Sequence, residues 1–187
     1  MGLLRTLLRL LLGKRLAITS GELRVDGLEA PVIIRRDRYG IPMIEAQSER
    51  DALFALGFCH GQDRPAQLEA VVRVVRGTVA ELAGAQALAV DRISRRVGFR
   101  YAADQQLPTL SEKNRSNLSA YTSGINAGYE HGLGRRPHEF VAVRSTPTPW
   151  EPADVLAFNK LQSWFMASNW DVELARLRIL LADGPEA

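Results

Sequence analysis

Short apolar runs near the N-terminal end of the chain predict β-strands. Residues 21–26 and 32–36 carry such runs, and Asp37 to Gly40 supplies turn residues before a further extended run at 41–45. Pro42 removes one backbone hydrogen-bond donor from the last run, which places it at a sheet edge or in an irregular strand. We therefore expect a small β-region ahead of the first helix.

Apolar positions with helical spacing dominate the rest of the chain. Ser48, followed by Asp51 three residues later, resembles a capping box and starts a helix expected to reach about His60. A second helix is predicted to follow Pro65, which kinks or restarts the helical path, and to end near Gly84. The other predicted elements are helices over residues 111–129, 152–165 and 171–183 and a short strand over 140–143. The pattern predicts an α+β fold that is predominantly helical.

The first 17 residues form a leucine-rich segment with interspersed basic residues. In a helix, Arg5 and Arg9 would lie one turn apart, and leucines would cover much of the remaining surface. The uncharged stretch from Leu10 to Gly13 is too short for the apolar core of a signal peptide or for a membrane span. The pattern suits a membrane surface or a groove on a partner, and equally a helix packed on its own protein. We take residues 1–19 as an N-terminal segment and residues 20–187 as a single domain.

Composition and charge exclude several classes of protein. The chain has 187 residues, enough for one domain with its own core, and its 24 Lys and Arg against 21 Asp and Glu give a net charge of +3. No run of five or more like charges occurs, so we expect no nucleic-acid partner. One cysteine forms no internal disulfide, and three histidines show no zinc-ligand spacing. Because helix neighbours point about 100° apart, Cys59 and His60 are not expected to form a nucleophile–base pair, and Cys59 is expected in the core.

Several motifs occur together in one order. Residues 36–44 read RDRYGIPMI, residues 57–69 read GFCHGQDRPAQLE, and residues 76–84 read RGTVAELAG. They resemble the RDxxGIPHI, GYxxAQDRLxQME and GxLAExxG motifs of the penicillin acylase family of N-terminal-nucleophile hydrolases. Further matching positions follow in the family's order: Asp91 with Arg95 or Arg96, then Tyr121, Gly124, Asn126 and Ala127, then Pro137, Glu139 and Phe140, then Trp150, Pro152 and Asp154.

The chain departs from the family pattern at three positions within these motifs. Met43 stands where the family usually has histidine, and Gly61 stands where it often has alanine. Pro65 stands where an apolar or aromatic residue is common. These differences bear on local packing and leave the order of the motifs intact.

The resemblance implies that this chain is the α-subunit portion of an αββα sandwich that a β subunit completes. Family members are made as a precursor that cuts itself into a smaller α chain and a larger β chain. The new N-terminal serine of the β chain attacks an amide, with its own α-amino group as the base, so the resemblance implies no catalytic residue in this chain. The implied partners are the β subunit, in an obligate heterodimer, and a small N-acyl substrate such as a β-lactam side-chain amide or an acyl-homoserine lactone.

By resemblance, the α chain contributes an acyl pocket and one calcium ligand. Met166 and Trp170 match pocket-lining positions, and one helical turn between them would let both face one cavity. On helical spacing alone they are ordinary core residues, and Phe165 beside them is expected on the buried side of its helix. Glu173 matches a glutamate that ligates a calcium ion shared with the β chain. Without a metal, Glu173 is a first-turn glutamate that the helix dipole stabilises.

Two other classes of function compete with the hydrolase subunit. A non-enzymatic helical module would use residues 1–17 to bind a membrane or another protein, and would be a stable monomer. An inactive acylase remnant would have the family's motifs without a β chain. The resemblance implies a periplasmic location, whereas the broken apolar run leaves a cytoplasmic or membrane-associated location open.

Overall fold

The structure, a computed structural model, describes residue 13 and residues 16–167 and 169–184. Most of the leucine-rich segment predicted over residues 1–17 lies outside the described residues. Helices make up most of the described chain, which confirms the predominantly helical α+β prediction. The elements in chain order are β1 (Ile33–Arg36), β2 (Pro42–Glu45), α1 (Glu49–Asp63), α2 (Pro65–Arg76), α3 (Ala80–Ala83), α4 (Leu88–Val97), α5 (Phe99–Gln106), α6 (Glu112–His131), α7 (His138–Ala142), α8 (Pro152–Met166) and α9 (Trp170–Asp183).

Strands β1 and β2 form the antiparallel hairpin that the runs at 32–36 and 41–45 predict. Ile33 lies opposite Glu45, and Arg36 lies opposite Pro42. Arg36 then reaches the end of α1, where its two terminal nitrogens donate to the two carboxylate oxygens of Asp63 at 2.7 and 2.9 Å. This bidentate pair fixes the hairpin on α1.

Residues 21–26 do not form the predicted strand. They run beside β1 and α1 with no hydrogen-bonded neighbour strand among the described residues, and a turn with Gly27 at a φ of 104° follows them. Leu23 and Val25 instead line a cavity of about 250 Å³ against Phe54 and Phe58 of α1. The apolar side chains of residues 21–26 therefore pack against α1 without forming a strand, because a strand also needs hydrogen bonds to a neighbouring strand.

Helices α1 and α6 pack with their backbones in direct contact. Gly57 and Gly61 on α1 face Gly124 and Gly128 on α6, and both pairs have a spacing of four residues. A Cβ atom on Gly124 would lie 1.9 Å from the carbonyl oxygen of Phe54, and one on Gly57 would lie 2.0 Å from that of Tyr121. Only glycine permits so close a crossing, which makes this helix pair the centre of the fold.

The second predicted helix ends earlier than Gly84. Helix α2 stops at Arg76 because Gly77 adopts a φ of 65°, and the N–H of Thr78 donates to the carbonyl oxygen of Arg73 at 2.9 Å. The chain then turns, and the carboxylate of Asp91 accepts from the N–H groups at the start of α3 at 2.7 and 2.9 Å. Gly77 therefore ends α2, and Gly84 ends the following short helix α3.

The buried carboxylate of Asp154 connects α2, α5 and α8. Pro152 and Asp154 begin α8 as predicted, and Asp154 forms a reciprocal capping box with Glu151. The Asp154 side chain is fully buried and accepts from Arg76 at 2.6 and 2.9 Å and from Arg100 at 2.9 Å. Apolar side chains from the same three helices form one buried cluster, which includes Val75, Phe99, Ala103, Leu156 and Ala157.

Residues 140–143 do not form the predicted strand. They belong to the short helix α7 and its end, with Pro137 at the N-cap and the N–H of Val143 donating to Glu139 at 3.2 Å. Phe140 is 2% exposed, so tertiary burial outweighs the local preference of its aromatic and β-branched neighbours for strands. None of the described helices is long and apolar enough to cross a membrane.

Candidate functional site

The predicted pocket and calcium residues lie where α8 gives way to α9. Helix α8 buries Leu156 and Leu161 in the core and ends at Met166, where the N–H of Ala167 donates to the carbonyl oxygen of Ser163 at 3.0 Å. Helix α9 begins at Trp170. The three predicted site residues are therefore close in the chain but are divided between two helices.

Met166 and Trp170 do not lie one turn apart in a single helix, and that expectation is wrong. Met166 is the last residue of α8, and Trp170 is the first of α9. Their side chains are 79% and 65% exposed, so neither is an ordinary core residue of the described chain. Phe165, expected on the buried side of its helix, is 64% exposed. A run of large apolar side chains thus faces outward at the break.

The exposed apolar side chains continue along the last helix. None of the residues of α9 is buried, although the helix carries valine, isoleucine and leucine side chains. We call this region the C-terminal apolar surface and define it by Phe165, Met166, Trp170, Val172, Leu177, Ile179, Leu180 and Leu181. A helix that carries many large apolar side chains and buries none of them is typical of a segment that a partner covers.

A groove of about 550 Å³ between α5 and α8 borders the C-terminal apolar surface. Phe99 and Trp164 line it and meet edge to face, with ring centroids 6.1 Å apart. Trp164 also packs edge to face on Phe165, at 5.7 Å. At the other side of the groove, the ammonium of Lys160 donates to the side-chain oxygen of Gln106 at 2.7 Å. Sequence reasoning missed Trp164, although it lies three residues after Leu161 and seven after Ala157, on the buried side of α8.

Glu173 lies in the first turn of α9 with an exposed carboxylate. One of its oxygens accepts from Asn169 at 3.4 Å and from Arg176 at 3.3 Å. A carboxylate is a suitable oxygen ligand for calcium, and exposure leaves it open to further partners. Within the described residues, no cluster of three or more His, Cys, Asp or Glu side chains is placed to hold a metal ion. Additional ligands would have to come from elsewhere.

Cys59 and His60 lie in α1 and do not act on each other. Cys59 is 1% exposed, which confirms its predicted place in the core, and burial raises the pKa of its thiol. His60 turns to α6, where its Nδ1 lies 2.7 Å from the hydroxyl of Tyr121. Burial lowers the pKa of His60, while the charge of Asp63 opposes that shift. A buried thiol with a raised pKa is a poor nucleophile.

The motif residues pair with one another across the fold. Asn126 exchanges two hydrogen bonds with the backbone of Trp150, at 3.0 and 2.9 Å. The pairs of Arg36 with Asp63 and of Arg76 with Asp154 connect other motifs in the same way. These side chains hold helices together and do not converge on one cavity, so the motifs describe a scaffold.

Comparison with known proteins agrees with this scaffold. A family model for penicillin amidase matches residues 31–187, and the chain belongs to this family. It is 38% identical over 151 residues to penicillin acylase 2 proenzyme of Pseudomonas sp. (strain SE83), covering 81% of this chain and 19% of that protein. It is 34% identical over 161 residues to acyl-homoserine lactone acylase QuiP of Pseudomonas aeruginosa, covering 86% and 19%.

A solved structure has the same fold. The thermostable penicillin G acylase from Alcaligenes faecalis is similar with a TM-score of 0.68 at 26% sequence identity. The match covers 83% of this chain and 86% of the chain in that structure. By contrast, this chain spans about a fifth of the length of the proenzyme and of the QuiP acylase.

Proposed function

We propose that this chain is the α-chain part of an N-acyl amide hydrolase whose nucleophile lies in the remainder of a longer precursor. One observation carries the proposal: most of the chain matches only 19% of a relative whose name says that it is a proenzyme. The matched chain of the Alcaligenes structure is itself mostly covered by this one, which favours a separate polypeptide of similar length.

The C-terminal apolar surface supports a permanent partner. Met166 and Leu181 are the two most exposed of its side chains, at 79% and 77%, and covering such apolar side chains with a partner would be favourable. Obligate interfaces commonly bury more than roughly 2,000 Å² and are more apolar than transient ones. The β chain of the same precursor is the partner that this proposal assigns to the surface.

The chemistry proposed for the β chain is nucleophilic attack by an N-terminal serine. Its α-amino group, with an ordinary pKa of about 7.7–8.0, is partly neutral at pH 7 and lies within reach of its own hydroxyl. It takes the hydroxyl proton as the oxygen attacks the acyl carbon, and it returns a proton to the departing amine. This chain supplies positioning, since its paired arginines and carboxylates maintain the scaffold.

We propose that Met166 and Trp170 line the acyl side of the pocket. Both are large and apolar, and both lie at the break between α8 and α9, where a partner chain can close a cavity over them. A tryptophan at the start of α9 would shorten a pocket that a phenylalanine would leave longer. The substrate class is an N-acyl compound, as the names of the penicillin and acyl-homoserine lactone acylases suggest.

We propose that Glu173 contributes one carboxylate to a calcium ion whose other ligands lie in the β chain. Glu173→Gln in the complete enzyme is expected to weaken calcium binding at least about tenfold, because an amide oxygen carries no charge. Equilibrium dialysis with calcium measures the affinity directly. Glu112→Gln is the matched control, since Glu112 is also a first-turn glutamate paired with an arginine three residues later, Arg115. Equal calcium affinity in the two variants would exclude a ligand role for Glu173.

Intact-mass analysis with N-terminal sequencing of natively purified protein tests the proposed function. We expect a larger second chain that begins with serine, in equal amount with this one, and release of an acyl group from N-acyl substrates. A single monodisperse species of 20.7 kDa would contradict the hydrolase proposal. That outcome would favour a binding module or an inactive remnant.

A further inference from the structure

We propose that the groove between α5 and α8 binds an amphipathic monocarboxylate, an acid with one carboxylate and one apolar chain or ring. This inference goes beyond the proposed function and does not rest on it, because neither Met166 nor Trp170 lines the groove. The volume of about 550 Å³ lies within the range of about 300–1,000 Å³ that is typical of small-molecule sites.

Small residues keep the space between the two helices open. Gly98, between α4 and α5, has no side chain. Ala102 on α5 and Ser163 on α8 also line the groove, and neither side chain is long enough to cross it. Because the distance between packed helices depends on the side chains at their contact, these residues leave a concave space above the buried part of the helix pair.

Apolar residues make up most of the groove lining. Phe99 and Leu156 belong to the core and also line the groove. Trp164 meets Phe99 edge to face, and 38% of Trp164 is exposed. An alkyl chain or an aromatic ring that covers the indole removes apolar surface of both partners from water, which favours binding.

One cation lies in this apolar surrounding without an anionic partner. Of the described residues that line the groove, Lys160 is the only charged one. It is partly buried, and its ammonium donates to the side-chain oxygen of Gln106 at 2.7 Å. No carboxylate in the described part of the chain forms an ion pair with Lys160, whereas Lys113 pairs with Glu49 at 2.7 Å. An ammonium has three donors, so two remain for an anion.

The lysine and the apolar lining together select the class of ligand. A carboxylate accepts a charge-assisted hydrogen bond from Lys160, and the exposed amide of Asn159, which also lines the groove, offers a second donor. A neutral ligand would leave the ammonium without an anion. A second carboxylate would lose water against the apolar lining without gaining a cation. One carboxylate and one apolar group therefore match the groove.

Equilibrium dialysis of the complete protein with octanoate tests this inference, and octanol is the neutral comparison. Lys160→Met keeps a long, flexible side chain but removes its charge. The affinity for octanoate should fall at least about tenfold, because a charge-assisted hydrogen bond is lost. The affinity for octanol should stay unchanged. Lys113→Met is the matched control, since Lys113 lies on α6 and pairs with Glu49, and it should bind octanoate like the parent.

A second pair of variants tests the location of the ligand. Ser163→Phe places a ring in the groove and should weaken the binding of octanoate and octanol alike. Gln162→Phe is the control, because Gln162 is exposed on the same helix and does not line the groove. A photoreactive diazirine derivative of octanoate should cross-link to residues 97–106 or 156–164. Circular dichroism checks that each variant remains folded.

Four outcomes would overturn the inference. The first is that the parent does not bind octanoate, which is also the result if a partner chain covers the groove in the complete protein. The second is that Lys160→Met binds octanoate as well as Lys113→Met does. The third is that Ser163→Phe binds as well as Gln162→Phe. The fourth is that the cross-links fall only at residues 166–170, which would place octanoate at the proposed acyl pocket.

Discussion

Replacing Gly124 by alanine is expected to destabilise the protein by about 3 kcal/mol or more. The new Cβ atom would lie 1.9 Å from the carbonyl oxygen of Phe54, a backbone atom that cannot rotate away. Helices α1 and α6 would have to separate, which exposes Phe54 and Ile125, two of the most buried side chains. The gain of about 1 kcal/mol from the helix preference of alanine is smaller than this loss.

Thermal unfolding of the complete protein measures this effect. A graded series keeps the test informative where Gly124→Ala leaves no folded protein, because a Cβ atom on Gly128 would lie 2.4 Å from the nearest backbone oxygen and so clash less. Gly128→Ala should unfold between the parent and Gly124→Ala. Ser123→Ala is the control on the exposed side of the same helix. Similar unfolding temperatures for all four proteins would contradict the close helix crossing.

Replacing Asp154 by alanine is expected to destabilise the protein by about 3–5 kcal/mol. The carboxylate is fully buried and accepts hydrogen bonds from Arg76 and Arg100, whose guanidinium groups would lose their principal buried partner. It also accepts from the backbone N–H of Glu151 at 2.7 Å, so the start of α8 would lose its cap. The unfolding temperature should fall by about 10 °C for a protein of this size.

The control for Asp154 is another carboxylate on the same arginine. Asp104 pairs with Arg100 at 2.9 Å, but about half of its side chain is exposed. Asp104→Ala should therefore cost no more than about 1 kcal/mol. If both variants lower the unfolding temperature equally, burial of Asp154 is not the source of its stabilising effect.

Local signals explain which elements the sequence predicts. Helices α1, α6 and α8 each begin at a cap that is visible in the sequence, namely Ser48, Ser111 and the Pro152 and Asp154 pair. Helices α4 and α5 escaped prediction because Gly98, at a φ of 79°, divides residues 88–106 into two short helices with little room for an apolar stripe. Their formation depends on packing against α2 and α8, which no local pattern contains.

In the candidate site, too, some features follow from the local sequence, and others depend on contacts with distant parts of the chain. The sequence indicates Met166, Trp170 and Glu173 by their order in a family motif, and the ending of α9 before Gly184 follows from its glycine. The break between α8 and α9 and the outward direction of Phe165 do not follow, because the apolar spacing of residues 152–165 continues to Phe165 without a local signal for either. The glycine pairs at the α1–α6 crossing carry a signal that is visible in the sequence, a spacing of four residues on each helix.

The three hydrogen bonds of Gln62 have a consequence for the order of folding. Its side chain binds the carbonyl oxygens of Ile18 and Gly132 and accepts from Arg36, so it joins residues 44, 70 and 26 positions away. The bond to Gly132 can be completed only after α6 has docked on α1, because distant contacts close late. During synthesis Gln62 therefore lacks one of its three partners until residue 132 has emerged, and Ile18, whose N–H also donates to the carbonyl oxygen of Gly132, is attached to the end of α6 only at that stage.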